Sequence, residues 1–154
     1  MKILLAIDGS PCSEVAVEEV ARRPWPAGSQ LRIISAIELP LTLMTKGWVP
    51  PEDYVALLEK AAQEQAGEII KRAEERVRAG TGASLQISTE IIRGPARDVI
   101  LDEAESWGAD LIVVGSHGYR GLKRLWLGSV SHAVASHAKC SVEIVRCPQA
   151  REGK

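Results

Sequence analysis

Five short apolar runs rich in β-branched residues recur along the chain, and they limit the fold more than any other feature. They are KILLAI (2–7), LRIISAI (31–37), LQISTEII (85–92), DLIVVG (110–115) and SVEIVR (141–146). The first, second and fourth are almost continuously apolar. A strand of that kind must be buried on both faces, as in a parallel sheet covered by helices. The segments between the runs have helical spacing. Residues 11–23 place Val15, Ala16, Val20 and Ala21 on one side, with Ser10 or Ser13 available as the cap. Residues 51–79 step by three and four through Val55, Leu58, Ala62, Ala66, Ile69, Ala73 and Val77, the spacing of one helix face. Pro50 and Pro51 open that segment and Gly80 closes it. Helices are also predicted over 95–108, between Pro95 and Gly108, and over 129–139. Alternating strands and helices make right-handed βαβ units, so the expected class is α/β with one open parallel sheet.

The remaining bulk properties narrow the options. A chain of 154 residues suits one domain with a sizeable core, taken as 1–148 with a flexible tail over 149–154. The net charge of −1 argues against a general nucleic-acid-binding surface. No run approaches membrane-spanning length. Asp8 interrupts the first apolar run too early for a signal peptide, which predicts a cytoplasmic protein. Cys12, Cys140 and Cys147 are too few and too unevenly spaced for a disulfide scaffold, and an odd count fits a reducing compartment. All three are expected to be buried or half-buried thiols. Residues 38–53 form a long connection containing Leu41, Leu43, Met44 and Trp48, read equally as a contact surface or as a cover for the core edge.

The stretch GSHGYRGLKRLWLGSVS (115–131) follows the fourth run directly. In an open parallel sheet, ligands bind beyond the carboxyl ends of the strands, where strand order reverses. This loop leaves the fourth strand at that end, and Asp8 leaves the first. If those strands are neighbours, both border one crevice. Glycine lets backbone N–H groups approach an anion, and a helix starting near Gly128 presents free N–H groups and a positive dipole end. Ser129 and Ser131 add hydroxyls. Walker A and G-x-G-x-x-G strings are absent; Gly115, Gly118 and Gly121 read G-x-x-G-x-x-G instead. Arg120, Lys123 and Arg124 either offset phosphate charge or form a solvated patch. His132 and His137 do not share a helix face, and His137 with Cys140 lacks a third partner, so no zinc site is expected. Neither a Ser-His-acid arrangement nor a carboxylate pair set for hydrolysis is evident.

Gly115, two residues, Gly118, nine residues and Gly128-Ser129 together resemble the G-2x-G-9x-G-[S/T] pattern of the ATP-binding universal stress proteins. The flanks KILLAIDGS, IIRGPARDVILDEAESWGADLIVVG and GLKRLWLGSVSHAVASHAKCSVEIV extend the resemblance over essentially the whole chain. It implies a Rossmann-like sheet of five parallel strands in the order 3-2-1-4-5, with helices on both faces. It also implies ATP or a related adenine nucleotide in the crevice, any Mg²⁺ or Mn²⁺ being carried by the nucleotide. By the same resemblance Gly115, Ser116 and Gly118 contact ribose and phosphates, with His117 beside them. Gly128, Ser129, Val130 and Ser131 supply donors to the phosphates. Ala6 and Asp8 line the nucleoside end, and Ala36 reads the adenine edge. Asp8, an acid close to phosphates, is expected to accept from the adenosine part unless a metal intervenes; its other reading is a turn aspartate. The last strand, Val142, Glu143, Ile144, Val145 and Arg146, is implied to pair with its mate in a homodimer. Glu143 departs from the family's apolar preference there and would need a partner such as Arg146 of the other chain.

The function this implies is a dimeric, nucleotide-binding regulator or sensor with little or no hydrolysis. The competing readings are an ATPase or nucleotidyl-transfer enzyme on the same fold, and a dimeric adaptor with an empty crevice.

Overall fold

The structure, a computed structural model, describes residues 1–38, 51–81, 85–118 and 127–147. The apolar 39–50 connection, the basic residues of the glycine loop (Arg120, Lys123 and Arg124) and the 149–154 tail lie outside the described residues. Strands and helices alternate: β1 (Lys2–Ala6), α1 (Pro11–Arg22), β2 (Gln30–Ile37), α2 (Glu52–Thr81), β3 (Gln86–Arg93), α3 (Ala96–Trp107), β4 (Leu111–Gly115), α4 (Ser129–His137) and β5 (Ser141–Val145). The strands form one sheet in the order β3-β2-β1-β4-β5. Every pairing is parallel, with Ala6 beside Ile34 on one side and beside Val114 on the other.

The two-residue strand period sorts the core into two layers. Ile3 and Leu5 of β1, with Ile33 and Val113, pack on α1 and α2 through Val17, Val20, Ile70 and Val77. Leu4, Ile34, Ile112 and Val114 face the other way, onto Val99, Ile100 and Ala104 of α3 and Val134 of α4. Ile3, Leu4 and Leu5 are consecutive and fully buried, which is why the central strand carries no polar alternation. Edge strand β3 has no fully buried residue, and its Ser88, Thr89 and Glu90 are exposed.

Helix ends follow local chemistry with one exception. Ser10 caps α1, its hydroxyl accepting from Ser13 N at 3.4 Å, while Ser13 Oγ donates to Ser10 O at 2.9 Å. Pro95 opens α3, and Gly108 ends it in the left-handed conformation, φ 71°. Gly80 does not close α2, because the helix continues to Thr81. A Cβ at Gly80 would lie 2.3 Å from Ala21 O, so this glycine is the point where α1 and α2 cross. The expected face of α2 is present, with Val55, Leu58 and Ala62 half-buried and Ala66, Ile69, Ala73 and Val77 buried.

The expectation of three thiols is not met. Cys12 and Cys147 form a disulfide with a Cα–Cα distance of 4.9 Å, and Cys140 is the free cysteine. Spacing gave no sign of this because the pair is 135 residues apart. The topology supplies the proximity: α1 begins above the carboxyl end of β1, and β5 ends on the same rim.

Candidate functional site

The sheet reverses its winding between β1 and β4, and the carboxyl ends of these two strands are where this topology places a ligand crevice. Three segments meet there: the β1–α1 turn, the chain leaving β4, and the start of α4. Each of three glycines stands where a side chain would meet a neighbour. A Cβ at Gly115 would lie 2.7 Å from the Cys12 carbonyl carbon and 2.8 Å from Ser13 N, so the end of β4 rests on the first turn of α1. At Gly118 it would lie 2.6 Å from Asp8 Oδ2. At Gly128 it would lie 3.1 Å from Ser116 O and 3.4 Å from His117 Cα. Gly115 is therefore required by backbone packing, whereas Gly118 faces a movable carboxylate and Gly128 a tight but yielding contact.

Ser116, 3% exposed, is the hub of this arrangement. Its N–H donates to Val145 O at 2.8 Å, tying the loop to β5. Its carbonyl accepts from Gly128 N at 2.8 Å and from Ser131 Oγ at 2.9 Å, joining the two ends of the loop. Its hydroxyl donates to Cys12 Sγ at 3.7 Å and lies 3.1 Å from His117 Nδ1. Ser10 Oγ donates to His117 O at 3.3 Å, fastening the loop to the α1 cap.

The sequence-designated residues fall into distinct positions. Ala6 ends β1, half-buried, and Ala36 lies near the end of β2 opposite Ile92. Asp8 is exposed on the rim. Its Oδ1 accepts from Ser10 N at 2.9 Å, which is the turn role, while Oδ2 faces Gly118. The turn role of Asp8 is therefore the one made within the chain. Gly128 is the N-cap of α4 and has no side chain to satisfy the helix start. The first bond into that helix is His132 N to Gly128 O at 2.9 Å, so the N–H groups of Ser129, Val130 and Ser131 precede the ladder. Ser129 is exposed and Val130 half-buried. Ser131 is buried, and its hydroxyl proton is committed to main-chain carbonyls, with Gly128 O at 3.0 Å and Ser116 O as the acceptors in reach. The Ser131 side chain braces the loop from inside.

His117 Nε2 is a buried polar atom with no hydrogen-bond partner among the described residues. An unsatisfied buried nitrogen is costly. Among the described residues, no group of three His, Cys, Asp or Glu side chains is arranged to hold a metal ion.

Glu143 has a partner that the sequence reading missed. Arg23, just beyond α1, binds it in a bidentate pair, Nη1 to Oε2 at 2.7 Å and Nη2 to Oε1 at 2.8 Å, and also reaches Glu19 at 2.9 Å. The Glu143 hydrogen bond, opposed by burial and aided by Glu19, pushes the Arg23 guanidinium further toward its charged form. The acid in β5 therefore serves the contact with α1 in its own chain, where the sequence reading had looked to Arg146 of a second copy. Cys140 lies at the opposite end of the sheet. Burial, followed by the nearby Asp110, raises its thiol above the ordinary value and keeps it protonated.

Residues 1–146 match the universal stress protein family model, and the chain belongs to that family. It is 36% identical over 150 residues to universal stress protein A homolog 2 of Coxiella burnetii, covering 94% of each chain. It is 32% identical over 149 residues to universal stress protein YxiE of Bacillus subtilis, covering 94% of this chain and 98% of that one. Among solved structures, hypothetical protein MJ0577 superposes with a TM-score of 0.82 at 23% identity, covering 97% of both chains. A universal stress protein in complex with cAMP superposes with a TM-score of 0.65 at 22% identity, covering 96% of this chain and 98% of that one. These structures share the Rossmann-like fold described above.

Proposed function

We propose that the crevice between β1 and β4 binds an adenine nucleotide, ATP in the first instance, and that the protein is a regulator or sensor with little or no hydrolysis. The carrying observation is the convergence of Gly115, Gly118 and Gly128 on one rim, where an added Cβ would meet α1 backbone at Gly115, the Asp8 carboxylate at Gly118 and, more loosely, Ser116 O at Gly128. The opening N–H groups of α4 and the Asp8 carboxylate, with Oδ2 toward Gly118, belong to the segments that meet at this rim. N–H groups at a helix start suit phosphate oxygens, and a carboxylate set apart from them suits ribose hydroxyls. The cAMP complex of a fold relative supports the same ligand class. Gly115, Ser116, His117 and Gly118 are assigned to ribose and phosphate, Gly128, Ser129 and Val130 to phosphate, Ala6, Asp8 and Ala36 to the nucleoside, and Ser131 to bracing. Any Mg²⁺ or Mn²⁺ would arrive on the phosphates.

The regulator is proposed to be a homodimer through β5. This short edge strand has no neighbour on its outer side among the described residues, and its Val142 and Ile144 are half-buried. Its setting is proposed to be the cytoplasm; no helix among the described residues is long and apolar enough to cross a membrane. The test is to denature the purified protein and identify released small molecules by mass spectrometry. The proposal predicts a stoichiometric adenine nucleotide. A different class of ligand in that role would reject it.

A further inference from the structure

The disulfide abuts the hub of the loop. Cys12 is the second residue of α1, 7% exposed, and its sulfur receives the Ser116 hydroxyl at 3.7 Å. Cys147, two residues past β5, is half-buried and therefore the sulfur that a small thiol reaches first. The bond ties the exit of β5 to the start of α1, beside the Ser116 N–H to Val145 O contact that docks the loop on β5. In a reducing compartment such a bond is a reactive group, not a permanent staple.

We propose that Cys12–Cys147 is a thiol–disulfide exchange site, with low-molecular-weight thiols and disulfides as co-reactants, and that its oxidation state sets how firmly residues 115–118 and 128–131 hold their ligand. The ligand half of this rests on the nucleotide reading above.

The exchange balances in two steps. A small-molecule thiolate attacks Cys147 Sγ; a mixed disulfide forms, the Cys12–Cys147 bond breaks, and the electron pair leaves on Cys12 Sγ, which takes a proton from water. The first turn of α1 and the Ser116 hydroxyl stabilise that departing thiolate. A second small thiolate then attacks the sulfur of the mixed disulfide that belongs to the first small molecule. This releases a small-molecule disulfide and the Cys147 thiolate, which is protonated from water. Overall two small thiols are oxidised and the protein gains two thiols. The reverse sequence, driven by a small-molecule disulfide, closes the bond. Ser116 is where this chemistry reaches the crevice. In the oxidised chain its hydroxyl is held between Cys12 Sγ and His117 Nδ1, and its carbonyl joins the two loop ends. Reduction frees the chain beyond β5 and loosens that hub.

The experiment compares full-length protein equilibrated with excess oxidised glutathione and with dithiothreitol. Free thiols are counted, ATP is titrated calorimetrically, and amide hydrogen exchange is followed at 116–118 and 128–131. Expected are one thiol in the oxidised form and three in the reduced form, about tenfold weaker ATP binding after reduction, and faster exchange at those amides. Cys147→Ser should bind ATP at the reduced value under both conditions, and Cys140→Ser should respond as wild type does. Three thiols after oxidation would overturn the proposal, as would unchanged affinity and exchange after full conversion, or a Cys147→Ser protein that still responds. If ATP binds neither form, the nucleotide reading fails, and the amide exchange alone decides for or against the switch.

Discussion

Ser116 shows how much a single buried residue can organise. Its carbonyl receives both Gly128 N and Ser131 Oγ, so one end of the loop accepts two donors from the other end. Removing the Ser131 hydroxyl leaves that acceptor half served. Ser131→Ala is expected to cost about 1 kcal/mol in urea denaturation and to speed amide exchange at 116–118 without changing the fold; wild-type exchange rates in the variant would contradict the bracing role. The glycine positions were legible in the sequence because their spacing is local. The direction of the Ser131 hydroxyl was not, since its acceptor lies fifteen residues away. The role of Glu143 was hidden for the same reason: Arg23 is 120 positions from it. Asp8 was legible only as a choice between two roles, of which the turn role is the one made within the chain.

Helix α2 offers a sharp contrast at the scale of elements. Glycine to alanine inside a helix ordinarily gains about 0.5–1 kcal/mol. Gly67→Ala should show that gain, because its Cβ would meet nothing nearer than Ile91 Cδ1 at 4.0 Å. Gly80→Ala should lose about 1–3 kcal/mol instead, because its Cβ would sit 2.3 Å from the Ala21 carbonyl oxygen. Paired urea curves decide the matter, and equal shifts would contradict the helix crossing. Sequence punctuation misread Gly80 as a helix stop because a glycine needed for close packing looks the same as one needed for a turn. Arg76 of α2 holds Glu18 of α1 across the helix pair, and Arg23 at the end of α1 holds Glu19 of the same helix. The Arg76 hydrogen bond is the chief cause lowering Glu18 below its ordinary 4.5, and the Arg23 hydrogen bond does the same for Glu19. A depressed carboxyl contributes stability above its unfolded value and loses it as pH falls through the folded one. The urea midpoint should therefore drop as pH is lowered below about 4.5, by a modest amount because Glu18 is half exposed and Glu19 is still open to solvent at 21%. A Glu18→Gln, Glu19→Gln double variant should show a shallower drop; an unchanged slope would assign the acid sensitivity elsewhere.

The architecture of the whole molecule was the most legible level. Three nearly continuous apolar runs required strands covered on both faces, and the described strands with all-buried centres are those of β1, β2 and β4. The strand order followed from the family resemblance, and it makes β1 and β4 neighbours, so that Asp8 and the glycine loop border one crevice. The disulfide was not legible, because only the folded topology brings the start of α1 and the exit of β5 to the same rim. The central claim is that this rim binds an adenine nucleotide through the glycine loop. A paired calorimetric titration of wild-type and Gly118→Val protein with ATP tests it most directly. A side chain at residue 118 would begin 2.6 Å from Asp8 Oδ2 and must displace either the loop or the carboxylate. The account predicts saturable binding by the wild type and at least a tenfold loss in the variant, with both proteins folded by circular dichroism. Equal affinity in the two proteins, or no binding by the wild type, would contradict it.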